Sequence, residues 1–288
     1  MKTQKKVCAI HDISCVGRCS LTVALPILSA AGLECSVLPT AVLSTHTGGF
    51  TGFTYRDLTE DIAPISQHWQ TLGIGFDAMY SGFLGSFEQI DLVAELFDTY
   101  RGDGIVMVDP VMADEGRLYC VYSPEMARGM AKLCSKADII IPNLTEAAFL
   151  LNESADNWEG PHTEAFIAET LHKLAMLGPL RVVLTGVTFE AGKIGAASFD
   201  KRSGTIGYAF AKRADGHFHG TGDTFGSAFL AGLLNGLPLQ ESMRLAVDYV
   251  SECIGLALAA SRERRYGVPF EQALPMLMKR LGLMQSLN

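Results

Sequence analysis

Short apolar runs recur along the chain, and most of them end on a polar residue. They are VCAI from Val7, CSVLPTAV from Cys35, AMYSG from Ala78, GIVMVDP from Gly104, DIIIPN from Asp138 and RVVLTG from Arg181. They are rich in Val, Ile and Leu and do not alternate, which suits strands covered on both faces. Stretches of helical period separate them: RCSLTVALPILSAAGLE before the second, SFEQIDLVAELFDTYRG before the fourth, SPEMARGMAKLCSKA before the fifth and TEAFIAETLHKLAMLG before the sixth. This alternation predicts βαβ units around a parallel sheet. After the sixth run, ASFDKRSGTIGYAFAKRA predicts an antiparallel hairpin with its turn at Lys201 to Gly204. Helices are expected in GSAFLAGLLNG, PLQESMRLAVDYVSECIGLALAASRE and PFEQALPMLMKRLGL. No Pro- or Ser-rich linker intervenes, so a single domain over residues 1–288 is expected.

The polar ends carry the first functional signal. The first run leads into His11, Asp12 and Ser14, and the second into Ser44, Thr45, His46 and Thr47. The others reach Ser81, Asp109, Asn143 and Thr185. In open α/β sheets ligands bind at the carboxyl ends of the strands, so these residues are expected to share one rim.

HGTGDTFGSAF, from His219 to Phe229, carries the second. It is not a dinucleotide fingerprint, because Gly226 comes one place late and the stretch does not follow a first strand. It is not a Walker A loop either: Gly192-Lys193 is the sole Gly-Lys pair, and Ile194 follows it. Two readings stay open. Asp223 could be the N-cap of the following helix, with the glycines as a turn. Alternatively, Gly220, Thr221 and Gly222 offer successive N–H groups to an anion at a helix N-terminus, and Asp223 takes the proton of an attacking hydroxyl. The neighbouring strand ends favour the second, because a plain cap leaves Asp109, Asp114, Asn143 and Glu146 unexplained. Asp114 and Glu146 are candidate magnesium ligands, partly through water, since magnesium takes oxygen donors and keeps several waters. NLTE from Asn143 also reads as a capping box, which is compatible with that role.

Composition narrows the partners. The formal net charge of −8 argues against nucleic acid and anionic membranes as the main partner. The basic start leads into an apolar run too short for a secretory signal, and no window is apolar enough to span a bilayer, so a cytoplasmic protein is expected. The seven cysteines form no C-x-x-C pair and read as reduced, mostly buried thiols. Smaller expectations are that SRERRYG, residues 261–267, is a solvated helix end, that His217 and His219 are strand residues near the phosphate site, and that Lys193, Lys201 and Arg202 of the hairpin lie over a nucleotide or in a solvated turn.

Over almost its whole length the chain resembles the pyridoxal kinases of the ribokinase-like superfamily. The likeness rests on SCVGRCSLTVALPILSAAGLECSVLPTAVLSTHTGGF, SGFLGS, VDPVMAD, IPNLTEA and GTGDTF. The last marks the superfamily, and STHTG with SGFLG points to vitamin B6. The resemblance implies a three-layer αβα sandwich around a mostly parallel central sheet. It implies ATP-dependent phosphorylation of the 5′-hydroxymethyl group of pyridoxal, pyridoxine or pyridoxamine. Asp223 would be the base and Gly220, Thr221 and Gly222 the anion hole. Ser14 would bond the pyridine, His46 and Thr47 would line its pocket, and Phe83 would sit against the ring, where the family often has tyrosine. Asp109, Asp114, Asn143, Glu146, Thr185 and Gly186 would lie on the Mg-ATP side, where potassium can also bind, and the protein would be a homodimer. Alternatives are a hydroxymethylpyrimidine kinase of thiamine synthesis, a sugar or nucleoside kinase, and a non-catalytic nucleotide or B6 sensor. The one Gly-Gly pair of the first 60 residues, Gly48-Gly49, belongs to STHTGGF, and no polar Gly-Gly sugar cradle is read there, which weighs against a sugar kinase.

Overall fold

The six apolar runs become the six parallel strands of one nine-stranded sheet. The structure, a computed structural model, describes residues 3–119, 122–155, 158, 160–260 and 263–284. The parallel strands are β1 (Lys6–Ser14), β2 (Glu34–Leu43), β4 (Ala78–Ser81), β5 (Ile105–Val108), β8 (Ile139–Ile140) and β9 (Arg181–Val187). The hairpin β10 (Lys193–Asp200) and β11 (Thr205–Lys212) extends one edge antiparallel, and β3 (Tyr55–Asp57) closes the other. The order is β11-β10-β9-β8-β5-β4-β1-β2-β3. A separate two-stranded ribbon, β6 (Ala113–Asp114) and β7 (Arg117–Leu118), follows β5.

Helices cover both faces, which is why the central strands read as unbroken apolar runs. One face packs against α2 (Thr59–Thr71), α3 (Phe87–Tyr100), α4 (Pro124–Ser135), α5 (Leu144–Leu150) and α6 (Glu164–Met176). The other packs against α1 (Leu21–Ala30), α7 (Thr221–Leu234), α8 (Leu239–Ala259) and α9 (Phe270–Arg280). The chain therefore has an α/β architecture of three layers around a mostly parallel sheet, the fold that the resemblance implies.

α7 matters most for function, and its apolar side fixes it. Phe225, Ala228, Phe229 and Leu230 are buried in one cluster with Tyr80, Met107, Ile139 and Val183 of the strands below. Full burial of one such large side chain is worth about 1.5–3 kcal/mol, so the helix start is held rigidly over the sheet rim.

The structure bears on four smaller expectations, correcting the two on the histidines and on residues 261–267 and choosing the solvated turn for Lys201 and Arg202. The Lys201–Gly204 turn lies at the end of the sheet opposite the rim, where the Lys201 amide donates to Leu180 O at 2.9 Å. β10 runs antiparallel to β9, so only the open ends of the hairpin reach the rim; Lys193 is there, while Lys201 and Arg202 are not. His217 and His219 lie in the loop between β11 and α7, not in a strand. α8 ends at Ala259, and Arg264–Tyr266 form a separate 3-10 turn; Ser261 and Arg262 lie outside the described residues. Finally, Cys8, Cys134 and Cys253 are buried, Cys19 and Cys35 are partly so, and Cys15 is exposed. Cys120 lies outside the described residues.

Candidate active site

The strand ends, the β6–β7 ribbon and the start of α7 enclose a cleft of about 660 Å³. That volume suits a small-molecule site. The candidate site residues line it: Ser14, His46, Thr47 and Phe83 at one end; Asp109, Asp114, Asn143, Glu146, Thr185 and Gly186 at the other; Gly220 to Asp223 among them. Of the other strand-end residues expected on the rim, Asp12 lines it, whereas His11, Ser44, Thr45 and Ser81 do not.

Asp223 does not cap α7. Gly220 is the N-cap, in the left-handed region at φ +74°, and Asp223 is the third helical residue. A Cβ on Gly220 would stand 2.0 Å from Arg18 O, so glycine is required there by both φ and contact. At Gly222 an added Cβ would meet nothing within 4 Å, so the backbone there stands uncrowded in the first turn of the helix. The Asp223 carboxylate accepts the Ser20 amide at 2.8 Å. Ser20, the residue before α1, can offer that N–H because it takes a positive φ of 56°. Burial and the nearby Asp12 charge raise Asp223 to about 7, against the lowering effect of the Ser20 bond. A carboxylate poised there is a competent general base at neutral pH.

Three more acids face the cleft. Asp109, 6% exposed at the end of β5, is pushed well above the carboxylate range by burial and by the charges of Glu146 and Asp223. Glu146 is pinned by a capping box at the start of α5: it accepts from the Asn143 amide at 2.8 Å, while Asn143 Oδ1 accepts from the Glu146 amide at 2.8 Å. Its second oxygen accepts the Met112 amide at 3.2 Å. Burial still lifts it to about 8. Burial also raises Asp114, whose Oδ1 accepts the Glu115 amide at 2.9 Å. Asn143 Nδ2 donates to Ala113 O at 2.9 Å, tying the ribbon to α5. Thr185 and Gly186 end β9, Gly186 at φ +79°.

The donor set is all oxygen, and among the described residues no Lys or Arg is ion-paired with Asp109, Asp114 or Glu146, which fits a hard divalent ion held partly through water. Among the described residues no group of three or more His, Cys, Asp or Glu converges as a closed metal cage.

At the opposite end Ser14 Oγ donates to Asp12 Oδ2 at 3.2 Å. Both nitrogens of His46 are engaged by main chain: Nε2 donates to Arg265 O at 2.6 Å, and Nδ1 accepts from the Gly48 amide at 3.2 Å. His46 thus presents its ring to the cleft and locks the 44–54 loop onto the 264–266 turn. His219 packs between His46 and His217, with ring centroids 5.1 and 4.7 Å away. Burial and those two neighbours lower it to about 4. Phe83 packs edge-on to Tyr122 at 5.9 Å.

The sequence reading assigned no role to several lining residues. Lys212 and Arg213 stand at the rim end of β11, and Val247, Val250 and Ile254 of α8 form an apolar arm with Ile194 and Ala214. The length and period of α8 were legible, but a helical period does not tell which neighbour its apolar side meets.

A glycine-led helix start with a buried carboxylate in its first turn, and further acids at the carboxyl rim of a parallel sheet, fit the class of phosphoryl-transfer enzymes. The chain belongs to the phosphomethylpyrimidine kinase family, whose pattern it matches over residues 27–266. It is 30% identical over 236 residues to a pyridoxal kinase of Histophilus somni, covering 77% of this chain and 78% of that one. A Bacteroides thetaiotaomicron protein, a candidate phosphomethylpyrimidine kinase crystallised with pyridoxal, is 36% identical with TM-score 0.87 and 96% of each chain covered. A pyridoxal kinase from Lactobacillus plantarum is 30% identical with TM-score 0.85, covering 96% of this chain and 97% of that one.

Proposed function

We propose that the protein transfers the γ-phosphoryl group of ATP to the 5′-hydroxymethyl group of a B6 vitamer. The observation that carries this is Asp223, lining the cleft in the first turn of α7 directly after Gly220 to Gly222 and raised to about 7. The alcohol donates to Asp223, which takes its proton as the oxygen attacks phosphorus. The amides of Gly220 to Gly222 meet the negative charge on the transferring group. The vitamer ring lies between Ser14, Thr47, His46 and Phe83, and the nucleotide phosphates run toward Asn143, Thr185 and Gly186. The apolar arm of α8 takes the base, and Lys212 and Arg213 stand at the phosphate edge. Asp109, Asp114 and Glu146 fit magnesium, which when bound offsets phosphate charge. No helix among the described residues is long and apolar enough to cross a membrane. The resemblance to pyridoxal kinases supports a cytoplasmic homodimer acting through one domain, which sedimentation of the purified chain checks.

The family match favours a second reading, a hydroxymethylpyrimidine kinase. One assay separates the two: turnover of pyridoxal, pyridoxine, pyridoxamine and hydroxymethylpyrimidine with Mg-ATP, in potassium and in sodium. Efficient phosphorylation of a B6 vitamer supports the proposal, and preference for the pyrimidine contradicts it. Binding of vitamer and ATP without turnover identifies a sensor instead. Chelating the divalent ion is expected to abolish turnover while leaving the melting temperature within about 2 °C, because no element of the fold depends on the ion.

A further inference from the structure

We propose that Asp12 ranks substrates, favouring rings that carry a hydrogen-bond donor on the carbon next to the hydroxymethyl group. This rests on the kinase reading above and adds the residue that sets its preference. Asp12 ends β1 at the substrate side of the cleft and is 4% exposed. Ser14 Oγ donates to its Oδ2 at 3.2 Å. The ionisable groups that feel its charge are Cys19, Tyr55, Tyr122 and Asp223, all of them acids. Arg18, six residues on, pairs instead with Glu271 at 2.8 Å. Among the described residues no Lys or Arg pairs with Asp12. A buried carboxylate without a cation is costly, and a ligand that brings one removes that cost.

Ser20 gives the placement. Its amide binds Asp223 at 2.8 Å, Asp12, Ser20 and Asp223 line the same cleft, and the Asp12 charge is felt at Asp223, so the two carboxylates are neighbours there. A ring whose CH₂OH reaches Asp223 therefore presents its adjacent substituent toward Asp12. The three vitamers differ at that substituent alone. Pyridoxal has an aldehyde, which only accepts. Pyridoxine has a hydroxyl, which donates. Pyridoxamine has an aminomethyl group, a cation at neutral pH like any alkyl ammonium, and makes a charge-assisted bond. The expected order is pyridoxamine, then pyridoxine, then pyridoxal. Hydroxymethylpyrimidine places a ring amino group at the same point, so it satisfies the same contact by the same chemistry.

The test is kcat/KM for these four compounds with wild type and Asp12→Asn, together with Kd for pyridoxamine and pyridoxal measured without ATP. The Asn variant keeps size and an acceptor for Ser14. It is expected to lose about 10²-fold on pyridoxamine and less than about 3-fold on pyridoxal, in both kcat/KM and Kd. An equal loss on all substrates overturns the proposal. So does a wild type that prefers pyridoxal, a result that needs no variant to fold. Turnover of hydroxymethylpyrimidine alone, with the same loss in Asp12→Asn, upholds Asp12 and removes the B6 reading. If none of the four is phosphorylated the kinase reading fails, and Asp12 is judged by binding: equal Kd for pyridoxamine in both proteins overturns it.

Discussion

Asp223 sits under opposing influences, and their balance sets its chemistry. The start of α7 and the Ser20 amide favour the carboxylate, but a helix terminus is worth only about 0.3–1 kcal/mol in ordinary settings. Burial and Asp12 outweigh them and lift Asp223 from 3.8 to about 7. As a base it must be ionised, so kcat/KM for the alcohol should rise about tenfold per pH unit below 7 and level above it. A pH–rate profile flat from pH 5 to 8 contradicts this. Stability runs the other way. With the folded pKa above the unfolded one, the contribution is fully present below 3.8 and is lost as pH rises toward 7. Asp223→Asn removes that loss, so its melting temperature should gain on wild type between pH 5 and 8. Thermal melts at the two pH values check it. Asp223 was legible from its GTGD setting, and Asn143 with Glu146 from the capping-box spacing. The bond from Ser20 to Asp223 was not, because it joins residues 203 positions apart.

At the scale of elements, two helix starts build the site by different devices. α7 starts on a glycine whose φ and contact with Arg18 O exclude a side chain. Gly220→Ala should lower both stability and kcat, the left-handed backbone alone costing about 1–2 kcal/mol. α5 starts on a capping box that also holds Glu146 toward the cleft. Asn143→Ala should destabilise by about 1 kcal/mol and raise KM for Mg-ATP, with KM for the vitamer nearly unchanged. Calorimetry with initial-rate kinetics tests both variants. The parallel strands were readable because burial on both faces leaves unbroken apolar runs. β3 was not, since its three residues are all exposed and read as loop. The β6–β7 ribbon has two residues per strand, too few for any period to register.

Across the whole molecule, the antiparallel edge decides which basic residues reach the cleft. β10 leaves the rim and β11 returns to it, so the turn at Lys201–Gly204 points away while Lys212 and Arg213 arrive at the cleft. Charge at a turn cannot be placed from sequence until strand direction is known. Replacing Lys212 and Arg213 with Ala should raise KM for ATP roughly tenfold, by loss of charge-assisted phosphate contacts. Replacing Lys201 and Arg202 should leave it unchanged. Equal effects from the two pairs would place the nucleotide elsewhere. The same topology brings Asp12, Ser20 and Asp223, from opposite ends of the chain, to one face of the cleft. The most direct test of the account is single-turnover phosphorylation of the preferred vitamer by wild type and Asp223→Asn with saturating Mg-ATP. The account predicts a phosphoryl-transfer rate lower by about 10²-fold or more with the vitamer Kd nearly unchanged. Transfer by the variant at the wild-type rate would contradict it.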